Sequence, residues 1–164
     1  MSTRAATPDD LDAIAEIYAH YVATSVATFE LDPPDADEWH RRFDAIIDAG
    51  LPFLVTERDG VIAGYAYCAP WKMRPAYRAT VEDSVYVAPS AVGQGCGTEL
   101  VRDLLEACGA AGVREVIAVI ADSGDPASVE LHRRFGFVDA GRLTRVGYKH
   151  DRFVDTVLLQ RSLA

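Results

Sequence analysis

The chain has no uninterrupted apolar run approaching the ~20 residues of a membrane span. Its first ten residues, MSTRAATPDD, contain no apolar signal-peptide core. Cysteine is scarce: Cys68, Cys96 and Cys108 are an odd set without a C-x-x-C pair. That argues against a disulfide framework or a zinc site and for reduced thiols in a cytoplasmic protein. Basic residues number 16 against 25 acidic ones, and they form no basic cluster. With a formal net charge of −9, no general affinity for nucleic acid or anionic membranes is expected. No G-K-[S/T] follows a glycine loop, which excludes a Walker loop, and no dinucleotide G-x-G-x-x-G is present. There is no repeat and no linker.

What remains is 164 residues, 49% of them hydrophobic, which suits one domain over 1–164 with a sizeable core. Ser2–Ala6 reads as a short strand. Thr7 can cap a helix with Pro8 at its first position. Leu11, Ile14, Tyr18, Tyr21 and Val22 then recur at helical spacing. After Pro33 and Pro34, Trp39, Phe43, Ile46 and Ile47 form the apolar face of a second helix that Gly50 stops. PFLVTER and VIAGYAYCA are strand-like runs around Asp59-Gly60, a pair suited to a tight hairpin. Thr80–Pro89 reads as a further strand. Leu100, Val101, Leu104, Leu105 and Cys108 mark a third helix, Val113–Ala121 a central strand, and Asp125-Pro126 opens a fourth helix ending at Gly136. Two strands close the chain. The predicted order is strand, two helices, three strands, helix, strand, helix, two strands: an α/β or α+β domain with helices on a mixed sheet.

VGQGCG (92–97) lies between a valine-rich strand and the third helix. Gly93, Gly95 and Gly97 let backbone amides approach an anion, and the helix that follows points its positive end at it. Such a turn suits a phosphate, although many glycine turns only connect elements.

SVYVAP and GQGCGTELVRDLLE resemble the acetyl-CoA-binding core of the GNAT N-acetyltransferases, and DPASVELHRRFGF is similar to the family's fourth-helix signature. The element order also matches, so the resemblance spans essentially the whole chain. IYAHYVATSVATFE, APWKMRPAY, TVEDSVYV and GYKHDRFVD together resemble the phosphinothricin acetyltransferase branch, which includes methionine sulfoximine and methionine sulfone acetyltransferases. The resemblance implies a single GNAT domain with a mostly antiparallel mixed sheet and four flanking helices. It implies direct transfer of acetyl from acetyl-CoA to a primary amine, without a metal, in a homodimer.

The family pattern assigns the pantetheine arm to the amides of Val85 and Val87. It assigns the pyrophosphate to the amides around Gly93, Gln94, Gly95, Cys96, Gly97 and Thr98, with Asp125 and Ser128 at the start of the fourth helix. Two positions depart from it. Relatives usually have Arg or Gln where Val92 stands and Asn where Asp125 stands; Asp125 reads mainly as a helix cap.

Glu82 is the candidate general base. Strand alternation puts it on one face with Ser84 and Tyr86, and puts Asp83 on the other face with Val81, Val85 and Val87. A carboxylate inside a central strand is costly unless it faces a polar cleft. Asp83 ranks well below Glu82 for this role. His132 falls where many relatives have a catalytic tyrosine and this branch has histidine. It could protonate the departing sulfur or assist Glu82; a lone helix histidine is otherwise structural or exposed. Cys96 sits at the wrong end of the cofactor for an acyl-enzyme, with no partner base identifiable from spacing.

For the acceptor, Lys72, Arg74 and Tyr77 suit the carboxylate of an amino acid, and Phe29 and Trp71 would be apolar walls. The plain alternative is a solvated loop. Tyr21 is either wall or helix core. Lys149 and His150 would help to close the pocket, across a dimer interface. The expected reading is a cytoplasmic N-acetyltransferase for a small amino acid or analogue. A GNAT enzyme for a protein N-terminus or polyamine, and a non-catalytic acyl-CoA-binding module, are the alternatives.

Overall fold

The computed structural model describes residues 1–163. Among them are seven strands and four α-helices in the predicted order. They are β1 (Ser2–Ala5), α1 (Leu11–Thr24), α2 (Ala36–Asp48), β2 (Phe53–Arg58), β3 (Val61–Pro70) and β4 (Thr80–Val87). There follow α3 (Cys96–Ala110), β5 (Glu115–Ala121), α4 (Ala127–Arg134), β6 (Val138–Lys149) and β7 (Arg152–Ser162).

Local chemistry sets most boundaries. Pro8–Asp10 forms a 3-10 turn, so α1 begins at Leu11 rather than after Thr7. The Asp10 carboxylate closes that turn by accepting the Thr7 N–H at 2.8 Å and the Arg4 guanidinium at 2.8 Å. Asp35 caps α2 by accepting the Glu38 N–H at 2.8 Å. Asp59 and Gly60, at φ 52° and 76°, make the β2–β3 turn. β4 stops at Val87, short of the predicted Pro89, because Pro89–Ala91 turns into a 3-10 helix. Ile47 is a correction: it is exposed, because the apolar stripe of α2 is the narrower set Trp39, Phe43 and Ile46.

The sheet order is β1-β2-β3-β4-β5-β7-β6, and only β4–β5 is parallel. On one face α1 and α2 bury Leu11, Ile14, Tyr18, Trp39 and Phe43 against Phe53 and Tyr65. On the other, α3 buries Leu100, Leu104 and Cys108 against Cys68, Val81, Val116 and Leu159. Each fully buried Leu or Phe contributes about 1.5–3 kcal/mol.

β4 and β5 are joined at three register pairs only: Thr80–Glu115, Val81–Val116 and Glu82–Ile117. Both strands run on, to Val87 and Ala121, without further pairing. The sheet therefore opens along this seam. Among the described residues no helix is long and apolar enough to cross a membrane, and no group of His, Cys, Asp and Glu is placed to hold a metal.

Candidate active site

The opened seam is the floor of a cleft of about 780 Å³. Its backbone chemistry follows from alternation along β4. The Ala88 N–H bonds to Ala63 of β3, and the Thr80 carbonyl accepts from Trp71 at the far end of the same edge. The Ala79 carbonyl instead faces β5, accepting from Arg114. Even-numbered residues thus direct their N–H and C=O toward β3, and odd-numbered residues direct theirs toward β5. The Glu82–Ile117 pair uses the flanking Val81 and Asp83 backbone groups; beyond it the β5 partner is missing, so the amides of Val85 and Val87 line an open edge. Tyr21 caps the end of that edge, its hydroxyl donating to the Val87 carbonyl at 2.5 Å.

The glycine turn closes one end of the cleft. Gly93 and Gly95 have φ of 77° and 87°, the left-handed region in which a side chain is strained. Gly95 is the residue before α3, so this backbone aims the first amides of α3 at the cleft. Gly97 lies under α4: a Cβ there would come within 3.1 Å of Leu131 Cδ2. Together these features form a cradle for an anion.

Glu82 sits at the last β4–β5 pair, where the strands part. Ser84 and Tyr86 pair with Tyr67 and Tyr65 of β3, so all of these share the α1 side of the sheet with Glu82. Burial pushes the Glu82 carboxyl above its usual range; the Asp83 charge adds to this and Lys72 partly offsets it. Over this face lies the segment after α1. The Thr28 hydroxyl is 2.6 Å from that of Tyr18, and the Thr28 carbonyl accepts from Lys149 Nζ at 2.8 Å. Lys149 is buried, which pushes its pKa down against the opposing Glu30 charge. Phe29 fits over Gly147, where an added Cβ would fall 2.5 Å from its ring. Arg42 anchors Glu30 at 2.6 Å.

On the opposite side, Asp83 and His132 meet. Nε2 of His132 lies 2.8 Å from Asp83 Oδ2, and Nδ1 lies 2.7 Å from the Ser128 carbonyl. Burial alone would lower the His132 pKa, but the Asp83 hydrogen bond and charge outweigh it and hold the ring above its ordinary value.

An open strand edge, an anion cradle and a half-buried carboxylate between them match a known architecture. The acetyltransferase (GNAT) family model aligns to residues 14–137. The chain belongs to the GNAT acetyltransferase family. It is 51% identical to a phosphinothricin N-acetyltransferase of Alcaligenes faecalis, over 99% of this chain and 82% of that one. It is 36% identical to an L-methionine sulfoximine/L-methionine sulfone acetyltransferase of Pseudomonas aeruginosa, over 99% and 94%. Among solved structures, a GNAT phosphinothricin acetyltransferase of Sinorhizobium meliloti in complex with AcCoA superposes with a TM-score of 0.95 at 41% identity, covering 99% of this chain and 88% of that one.

The acetyltransferase cleft gathers most of the residues singled out from sequence. Glu82, Val85, Val87, Gly93, Gly95, Cys96, Gly97, Thr98, Asp125, Ser128, His132 and Phe29 all line it. Other residues lie apart. Trp71, Lys72, Arg74 and Tyr77 are outside the lining; Lys72, Arg74 and Tyr77 are exposed, and Lys72 Nζ rests 4.9 Å over the Trp71 ring. Gln94 is turned outward, taking a bond from Arg58 and donating to the Ser90 carbonyl at 3.0 Å. Val92 is exposed. Asp125 accepts the Ala127 N–H at 3.0 Å in a turn just ahead of α4; the N-cap position itself is Pro126, so the cap read from sequence falls one residue early. The Cys96 thiol is buried with Ala63 and Ala91 beside the Met1 thioether, 3.4 Å away.

Sequence reasoning missed the Asp83–His132 pair and the part played by Thr28; it gave Lys149 a pocket-closing part without its partner. Lys149 reaches a carbonyl 121 residues away. A lysine near a strand end carries no local sign of such a partner. Asp83 did carry one: alternation put it on the apolar face of β4, where a carboxylate requires a partner.

Proposed function

We propose that this acetyltransferase moves the acetyl group of acetyl-CoA to the primary amine of a small amino acid or analogue, of the phosphinothricin or methionine sulfoximine type. The observation that carries this reading is Glu82, a carboxyl whose pKa is raised by burial at the point where β4 leaves β5. Its close relatives act on those acceptors by name.

The residues present fit acetyl-CoA. The open amides of Val85 and Val87 suit the amide groups of a pantetheine arm. The left-handed Gly93 and Gly95 with the start of α3 suit a pyrophosphate. Gly97, Thr98 and Ser128 border the same path. The Gln94 side chain, turned to Arg58, leaves its amide as its contribution.

The acceptor arrives as an ammonium. Glu82 takes one proton, directly or through a water, and the freed amine attacks the thioester carbon. The carbon–nitrogen bond forms, the carbon–sulfur bond breaks, and the thiolate leaves with the bonding pair. The amide nitrogen loses its second proton, one proton ends on CoA sulfur and one is released. An amide of the Val85 region stabilises the carbonyl oxygen as it becomes anionic. Arg74, with Lys72 and Tyr77, holds the acceptor's carboxylate, and Phe29 and Trp71 bound its apolar part. Lys149 keeps the Thr28 segment over this side.

We further propose a homodimer that works in the cytoplasm to detoxify glutamate-like analogues. Exposed Val138, Leu143, Val146 and Tyr148 on edge strand β6, with Phe153 beside them on β7, support pairing with a second copy. CoA release measured over a panel of amino acids, amines and N-terminal peptides, with product masses, tests the reading. Acetylated phosphinothricin or methionine sulfoximine is expected. Turnover only on polyamines or peptides, or saturable acetyl-CoA binding with no turnover, refutes it.

A further inference from the structure

The Asp83 and His132 side chains are each 4% exposed, and every polar atom of the imidazole is engaged. The Ser128 carbonyl can only accept, so Nδ1 carries a proton. Nε2 meets the Asp83 carboxylate at 2.8 Å, a charge-assisted distance. A buried carboxylate is retained when paired, so the ring holds its second proton there. Phe137 meets the imidazole edge-on at 4.9 Å and fixes its plane.

Other titratable groups face the pair from β4 and β3. Glu82, on the other face of β4, feels the Asp83 charge. Cys68 of β3 is in register with Asp83, and its thiol, 3.0 Å from that of Cys108 in α3, is held protonated by that bond, by burial and by nearby negative charge. From α4 only the Ser128 carbonyl bears on the ring. For His132 to protonate a leaving sulfur, its Nε2 proton would have to abandon Asp83 and strand that carboxylate in a buried site.

We propose that Asp83 and His132 are positioning residues, a buried ion pair that fastens α4 to β4 across the gap left by β5, and that His132 is not the acid of the reaction. This rests on the acetyl-transfer reading above. The pair acts through its neighbour. Leu131 of α4 covers Gly97 at the start of α3, so a shift of α4 disturbs the anion cradle.

Four variants and one spectrum test it. His132→Ala and Asp83→Ala should weaken acetyl-CoA binding about ten- to a hundredfold. His132→Gln, which can still donate an amide N–H to Asp83, should recover most of that affinity. In Asp83→Asn, which can hydrogen-bond a neutral ring, the alkaline side of the kcat profile should stay in place. In 15N-histidine spectra both ring nitrogens of His132 should stay protonated to higher pH than those of an exposed histidine. A His132→Gln enzyme with wild-type acetyl-CoA affinity but a hundredfold lower kcat and no alkaline limb would overturn the proposal. So would an Nε2 that loses its proton at or below the pH at which an exposed histidine does. If the alanine variants do not fold, the spectrum of the intact enzyme and the His132→Gln titration decide. The spectrum and the acetyl-CoA titration are read without an acceptor, a His132→Gln affinity tenfold or more below wild type counting against the proposal, so failure of the acceptor assignment is distinguishable from failure of this one.

Discussion

Replacing Glu82 by glutamine tests the base directly. Glutamine keeps the size and removes the proton acceptor. The groups acting on the carboxylate are burial, Asp83 and Lys72, so the change disturbs few bonds. A positioned general base contributes about 10²–10⁴ in rate, or roughly 3–5 kcal/mol at 1.36 kcal/mol per tenfold. Initial rates of CoA release should fall by that factor at pH 8 while the KM for acetyl-CoA stays within about threefold. The pH profile supplies a second signature. Wild-type activity should fall as pH drops through the raised Glu82 pKa, giving an acid limb above the usual carboxylate range, and the glutamine enzyme should lack it. The stability signs are opposite. A carboxyl whose pKa is raised on folding binds its proton more tightly in the folded state. Its favourable contribution is present at low pH and is lost as pH rises through the folded value. Glutamine resembles the protonated form, so the variant should melt higher than wild type at pH 8, with the gap closing below the unfolded pKa of about 4.3. A rate within tenfold of wild type, or an intact acid limb in the variant, would remove Glu82 from this role.

Three other substitutions probe the acceptor side. Lys72→Met withdraws a positive charge that lowers the Glu82 pKa, so the acid limb should move to higher pH; a shift the other way, or none, contradicts the electrostatics. Arg74→Ala should raise the KM of the amino-acid acceptor about tenfold or more and leave that of acetyl-CoA nearly constant, and equal effects on both would count against a carboxylate clamp. Gly147→Ala puts a methyl 2.5 Å from the Phe29 ring. That ring is part-exposed and can swing away, so a higher acceptor KM with little change in Tm is expected, and an unaltered KM would separate Phe29 from the acceptor.

The order of elements was legible because each carries its own punctuation. Pro33, Pro34 and Gly50 bound α2, and Asp59-Gly60 turns β2 into β3. Alternation correctly sent Glu82 and Asp83 to opposite faces. It could not reveal that Asp83 finds His132 49 residues away, nor that Tyr21 reaches the Val87 carbonyl 66 residues away. Those contacts depend on which helices cover which face, a property of the assembled sheet. The APWKMRPAY loop shows the converse: its chemistry was plain, yet the fold leaves Arg74 exposed and outside the cleft lining.

The three rungs between β4 and β5 have a mechanical consequence. They hinge two plates, one of β1–β4 and the other of β5–β7. A ligand lying along the unpaired edge adds rungs that the chain itself omits. Holding the substrate and stiffening the hinge then become one event. Its binding energy is shared between affinity and the bridging of the seam past Glu82.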